Sequence, residues 1–225
     1  MKQDITIENL YDLSHTIAAP LLESLTWPWE ALPLIEGFIR HMGPLLPQEE
    51  FDHPQEDVWI ARDAHVYPSA CIHGPAIICS GAEIRHCAFI RGKAIVGRDC
   101  VVGNSTELKN VILFDNVQVP HYNYIGDSIL GFHAHMGAGS ITSNVKSDKR
   151  LVVVHDPEGE IETGLKKFGA MIGDNTEVGC NSVLNPGTVL GRNCIVYPTT
   201  SVRGCIPEKH IVKAPGVICA RDDRN

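Results

Sequence analysis

Several things are missing or scarce in this 225-residue chain, and each absence removes a class of explanation. No stretch approaches the roughly 18 consecutive apolar residues that cross a bilayer, and the opening MKQDITIENL lacks the apolar segment of a secretory leader. These two absences predict a cytoplasmic protein with no membrane partner. No CxxC pair occurs among the eight cysteines (Cys71, Cys79, Cys87, Cys100, Cys180, Cys194, Cys205 and Cys219), so their scatter reads as reduced thiols rather than a disulfide framework. Positive charge is in deficit, with 19 basic against 27 acidic residues and a net charge of -8, which excludes nucleic-acid backbone binding as the main role.

What is present is a rhythm. From Ile60 an aliphatic residue recurs at every sixth position: Val66, Ile72, Ile78, Ile84, Ile90, Val96, Val102 and Leu108. Four residues after each comes a small one, from Ala64 and Ala70 to Cys100 and Thr106. A period of six fits no amphipathic helix but fits short strands joined by tight turns. It is the signature of a parallel β-helix, in which three strands make one triangular coil and coils stack in register. The aliphatic residue points into the prism and the small one fits the crowded corner; several cysteines take that small position. The rhythm returns at Leu130 and Met136, then runs from Ile172 through Val178, Leu184, Leu190, Val196 and Val202. Because the return is out of phase, irregular residues are expected between about 114 and 129, with His121 among them.

The predicted fold is therefore all-β, a parallel β-helix with a short helical N-terminal extension. Residues 1–55 read as a helical cap over the open end of the stack, which would otherwise expose unpaired strand edges. Residues 56–207 read as the β-helix, with an inserted loop over 143–168 rich in lysine and arginine and placed as a lid or an arm around a neighbour. Residues 208–225 read as a C-terminal tail.

The residues IRGKA (90–94), VGNSTELKN (102–110), HYNYIGDSILG (121–131) and MGAGSITSN (136–144) carry a likeness that needs no gap between Ile90 and Asn144. They resemble the left-handed β-helix acetyltransferase domain of the bifunctional N-acetylglucosamine-1-phosphate uridyltransferase and glucosamine-1-phosphate acetyltransferase family. Beyond Asn144, SNVKSDKR and ETGLKKFGAMIGDNTEVGCNSVLNPG look more like the longer-looped sugar-1-phosphate nucleotidylyltransferase branch. The likeness covers roughly residues 58–201 and leaves 1–55 unexplained.

The resemblance implies an N-acetyltransferase that uses acetyl-CoA as co-substrate, acts on an amino-sugar phosphate and assembles as a homotrimer. It implies His121 as the base, and an imidazole near its ordinary pKa of about 6.5 is suited to deprotonating an ammonium. It implies Arg91 and Lys109 as phosphate ligands, Tyr124 and Asn144 as sugar contacts, and Ala138 as lining the thioester. Read without the likeness, His121 could equally satisfy a loop carbonyl, Arg91 and Lys109 could decorate a solvent face, Glu107 could form an ordinary surface ion pair, and Asn144 could be a turn residue.

The departures narrow the expectation. His135 stands where the family has a sugar-binding asparagine, so it enters as a substrate-binding candidate with a changed acceptor in view. Val145 replaces a sugar-contacting tyrosine. Cys180 replaces a serine at the acetyl-CoA site and is retained as a co-substrate candidate. No GxGTRM-type loop or strand–helix alternation occurs, so the nucleotidyltransferase half is not within these residues. A γ-class carbonic anhydrase would hold zinc with three histidines, but the third ligand after His86 and His121 would fall at Gly126, and no metal site is expected. The competing reading is a non-catalytic trimeric β-helix module, a scaffold or a sugar-nucleotide binder.

Overall fold

The inward aliphatic residues of the hexads fall one above another in three columns. In the computed structural model, which describes residues 2–221, one column runs Ile78, Val96, Leu113, Leu130, Ile172, Leu190. A second includes Ile84, Val102, Val119, Met136, Val178 and Val196, and a third Ile90, Leu108, Ile125, Thr142, Leu184 and Val202. These residues are buried, and every coil-to-coil pairing that joins them is parallel. The fold is the left-handed parallel β-helix that the sequence predicts. Where the small inward residue is polar its hydroxyl is used: Thr106, Thr176 and Ser182 donate to the carbonyls of Val119, Gly191 and Tyr197, which removes the cost of burying them.

The break in rhythm falls only partly where expected: one of two short steps lies within the expected segment, at Asp127, and the other precedes it, at Asn110. Val119 and Ile125 keep the six-residue step, and His121 ends a regular strand, Gln118–His121. The phase changes at one edge of the prism, where the steps from Leu108 to Leu113 and from Ile125 to Leu130 are each one residue short. One coil above, that edge takes Arg91, Gly92 and Lys93; below it takes only Lys109 and Asn110, then Gly126 and Asp127. Asn110 and Asp127 turn the chain alone in the left-handed region, at φ 56° and 49°, a conformation that Asn and Asp tolerate better than most residues. The strands on either side consequently fuse into Glu107–Leu113 and Tyr124–Leu130.

The three outer faces differ in chemistry. One carries Trp59, Ile77, Ile95, Ile112, Ile129, Met171 and Val189 at its outward positions, all buried. The N-terminal extension lies along this face rather than over the end. Tyr11 packs on Phe114, and its hydroxyl donates to the Ile129 carbonyl; the helix Ile35–Met42 rests on the strands Ala94–Val96 and Glu107–Leu113. Asp174 anchors it by accepting from the amides of Asp12 and Phe132, and burial raises that carboxyl's pKa. Only the strand Phe51–Gln55 acts as an end cover, pairing antiparallel with Val58–Ala61. Lower on the same face the insertion folds into a hairpin, Val153–Asp156 with Gly159–Glu162, and packs on Thr188–Leu190 and Cys205–Ile206. The other end is closed by a second antiparallel hairpin, His210–Ala214 with Val217–Ala220; residues 222–225 of the expected tail lie outside the described residues. No helix among the described residues is long and apolar enough to cross a membrane.

The covered face is thus a second core, sealed by the extension. Ile129→Ala should destabilise the protein by about 2–5 kcal/mol in urea denaturation. Gln118→Ala, at an exposed outward position of the next face, should change stability by no more than about 0.5 kcal/mol.

Candidate active site

All the predicted site residues except His135 gather at two edges that border a single face. That face presents Phe89, Glu107, Tyr124 and Ile141 at outward positions and is called here the tyrosine face. At its edge with the covered face, the buried carboxylate of Asp127 is a hub. It accepts from Lys109 Nζ at 2.8 Å, from Asn110 Nδ2 at 2.9 Å and from Asn144 Nδ2. Asn144 Nδ2 also reaches the Tyr124 hydroxyl at 3.2 Å. Burial raises the Tyr124 pKa, and the nearby carboxylates of Asp127 and Glu107 add to the effect. Arg91 lies beside this group, its guanidinium donating to Glu107 Oε1 at 2.6 Å. Lys109, Tyr124 and Asn144 are therefore joined through one carboxylate, with Arg91 flanking them.

The opposite edge of the tyrosine face carries His121, Ala138 and Cys180. His121 is exposed and its ring has no partner among the described residues; its carbonyl accepts from Gly139 N at 3.0 Å. The Ala138 carbonyl accepts from Asn181 N at 2.9 Å, and the Cys180 carbonyl from Thr199 N at 2.8 Å. Gly137 donates its amide to Val178 O and Gly139 to His121 O, which leaves the partly exposed Ala138 amide without a backbone acceptor among the described residues. Gly137 also lies against Cys180, where an added Cβ would come within 2.7 Å of the Cys180 amide nitrogen. Buried Asn123 fixes this corner, donating to the carbonyls of Gly137 and Ser140 at 2.9 and 3.1 Å.

His135 belongs to neither group. It sits on the third face in register with Gln118 and Glu177, and its Nδ1 is 2.7 Å from Glu177 Oε2. The inserted loop leaves and rejoins the stack at the Asp127 edge, with Phe168 N bonded to Asn144 O and Gly169 N to Asp127 O. It thus brings Leu165, Lys166 and Lys167 to that edge while its hairpin packs away along the covered face. A larger cavity of about 510 Å³ between the extension and the first coils holds none of the predicted residues. No group of three or more His, Cys, Asp or Glu among the described residues is placed to hold a metal ion.

Sequence reading missed Asp127, Asn123 and Asn110. Asn123 occupies the small inward position of its hexad, in line with Thr106 and Ser140, so a polar residue with buried partners was inferable there. Asp127 and Asn110 are the turn residues of the two shortened steps and became readable only once those steps were located.

Two family models match successive stretches of this coil stack. The GMPPB C-terminal domain matches residues 72–156, and the bacterial transferase hexapeptide (six repeats) matches residues 169–204. The two matches are to parts of the chain, and its β-helix is similar over about three fifths of the chain to bifunctional GlmU proteins. It is 33% identical over 138 residues to the bifunctional protein GlmU of Methanococcus maripaludis, covering 61% of this chain and 33% of that protein. It is 36% identical over 137 residues to GlmU of Trichormus variabilis, covering 61% and 27%. The match thus spans a third or less of these relatives' length. Among solved structures, a hexapeptide transferase family protein from Anaplasma phagocytophilum is similar with a TM-score of 0.42 at 14% identity, covering 74% of this chain and 80% of that one.

Removing the hub carboxylate should be costly, because the Lys109 ammonium, mostly screened from solvent, would lose its counter-charge. Asp127→Ala is expected to lower stability by about 3 kcal/mol, and adding Lys109→Met should restore part of that loss. Urea denaturation of the two variants checks both.

Proposed function

We propose that the chain is an acyl-CoA-dependent N-acetyltransferase whose acceptor is an amino-sugar phosphate such as glucosamine-1-phosphate. The observation that carries this reading is the pairing of edges across one face. On one side His121 presents an unengaged imidazole beside the free amide of Ala138; on the other, Lys109 and Arg91 stand with Tyr124 and Asn144. The relationship to GlmU proteins supports it.

The roles follow from the chemistry. Lys109 and Arg91 attract and orient the phosphate, the arginine through a planar fork and the lysine as a point charge. The Tyr124 hydroxyl and the Asn144 amide, held by Asp127, position the sugar across the tyrosine face. The acceptor reacts as the neutral amine: its nitrogen attacks the thioester carbonyl carbon of acetyl-CoA, and His121 takes the proton that the nitrogen loses as the C–N bond forms. The Ala138 amide donates to the oxyanion that develops. As the tetrahedral centre collapses, the new C–N bond remains, the C–S bond breaks, and the protonated His121 returns its proton to the departing CoA sulfur. Holding both substrates over one face removes much of the entropic barrier. Cys180, next along the His121 edge, lines the acetyl-CoA path.

The assembly belongs to the same proposal: a homotrimer in which a neighbouring copy closes over the tyrosine face. The third face, where His135 pairs with Glu177, is available to bring His135 to a neighbour's acceptor.

The test is thiol release from acetyl-CoA with glucosamine-1-phosphate as acceptor. His121→Ala, which removes an exposed ring, should leave the fold intact and reduce turnover at least about 100-fold. Retained turnover in that variant would eliminate His121 as the base.

A further inference from the structure

The cationic groups at the Asp127 edge lie on two sides of it. Arg91 and Lys93 flank Gly92, and their side chains part: the guanidinium reaches Glu107 on the tyrosine face, whereas Lys93 Nζ reaches Glu36 of the helix Ile35–Met42 at 2.6 Å. Around the edge from Arg91 is a cleft of about 280 Å³ at the meeting point of three segments. The coil edge contributes Lys93, Lys109, Asn110 and Asp127; the extension contributes Leu32 and Pro33; the end of the insertion contributes Leu165, Lys166 and Lys167. Lys93 is balanced by Glu36 and Lys109 by Asp127. Lys166 and Lys167, both exposed, have no carboxylate partner among the described residues, so two positive charges remain unmatched.

The cleft also holds an unmet acceptor. Asn110 is buried, its Nδ2 is committed to Asp127, and its Oδ1 has no hydrogen-bond partner. A buried acceptor without a donor is costly enough to mark a place where a ligand donor belongs. Unmatched ammonium groups, an orphan acceptor and an apolar wall of Leu32, Pro33 and Leu165 together fit a group that is anionic at one end and carries a ring with hydroxyl or N–H donors at the other.

We propose that this cleft binds the nucleoside diphosphate portion of a nucleotide-linked amino sugar, an amino-sugar phosphate whose chain continues past the phosphate held at Arg91 and Lys109 to a second one. The direction of binding rests on the proposed acyl transfer: with the amine at His121, a sugar monophosphate would end at Arg91 and Lys109. A diphosphate continues around the edge, placing its second phosphate at Lys166 and Lys167, its ribose or base against Leu32, Pro33 and Leu165, and a donor on Asn110 Oδ1. The N-terminal extension then supplies one wall of the acceptor site and takes part in choosing the acceptor.

The test is calorimetric titration of the whole chain with UDP, ADP, GDP and CDP, with inorganic phosphate and the corresponding nucleosides as controls, all without acetyl-CoA. At least one diphosphate should bind about tenfold or more tightly than either phosphate or its nucleoside. The double variant Lys166→Ala, Lys167→Ala should lose about tenfold or more of that affinity, with an unchanged melting temperature because both side chains are exposed. Failure of every diphosphate to exceed phosphate, or equal binding by the double variant, overturns the proposal. The outcome is separable from the acyl-transfer reading. Diphosphate binding without any acetyl transfer would retain the cleft and remove the enzyme, whereas transfer to glucosamine-1-phosphate without diphosphate binding would do the reverse.

Discussion

Coil-to-coil register is the constraint on which the rest of this molecule depends. Each strand finds its backbone partners in the coils above and below, and each inward aliphatic side chain packs on its equivalents in the same column. A slip of one residue would turn an entire column outward. The chain nevertheless absorbs two one-residue shortenings, because both fall at the same edge in consecutive coils and Asn110 and Asp127 make the tighter turn. The shortened edge draws Lys109, Asn110 and Asp127 together and gives the buried carboxylate its three donors. The departure from the repeat and the polar centre beside the tyrosine face thus have one structural cause.

A triangular prism also divides labour among its faces. The face with isoleucines at outward positions is wrapped by the extension and by the hairpin of the insertion, which enlarges the core beyond what the coils alone could bury. The tyrosine face is left unwrapped, with its two edges carrying the candidate chemistry. The insertion serves both regions: its hairpin seals the lower part of the covered face, and its last residues deliver Lys166 and Lys167 to the Asp127 edge.

The stack itself was legible because period six forces alternation between inward aliphatic and small corner residues, a pattern visible without any tertiary knowledge. The wrapping was legible in principle as well. Ile77, Ile95, Ile112 and Ile129 immediately precede Ile78, Val96, Leu113 and Leu130, and an apolar residue at that outward position in successive coils needs a cover. A reading limited to the inward column passes over it and sends the extension to the end of the stack. The irregular residues were placed only in part, Asp127 inside the expected segment and Asn110 before it, for a related reason: loss of phase is visible in sequence, but the edge that absorbs it depends on which residue adopts a left-handed turn. Of the candidate residues, Lys109, Tyr124 and Asn144 were found from their spacing and likeness, whereas Asp127, which joins them, reads in sequence as an ordinary turn aspartate. His135 was placed by alignment position alone, and position in a coil does not determine which face meets a ligand.

The central claim is that one face brings an acceptor amine to His121 while its anionic end is held at the Asp127 edge. The most direct measurement is a crystal structure of the protein with CoA and an amino-sugar acceptor bound. The account predicts the amine nitrogen within about 3 Å of a His121 ring nitrogen, the CoA sulfur beside Ala138, and the phosphate on Lys109 and Arg91. An acceptor bound elsewhere on the stack, or one whose amine points away from every His121 in the assembly, would contradict it.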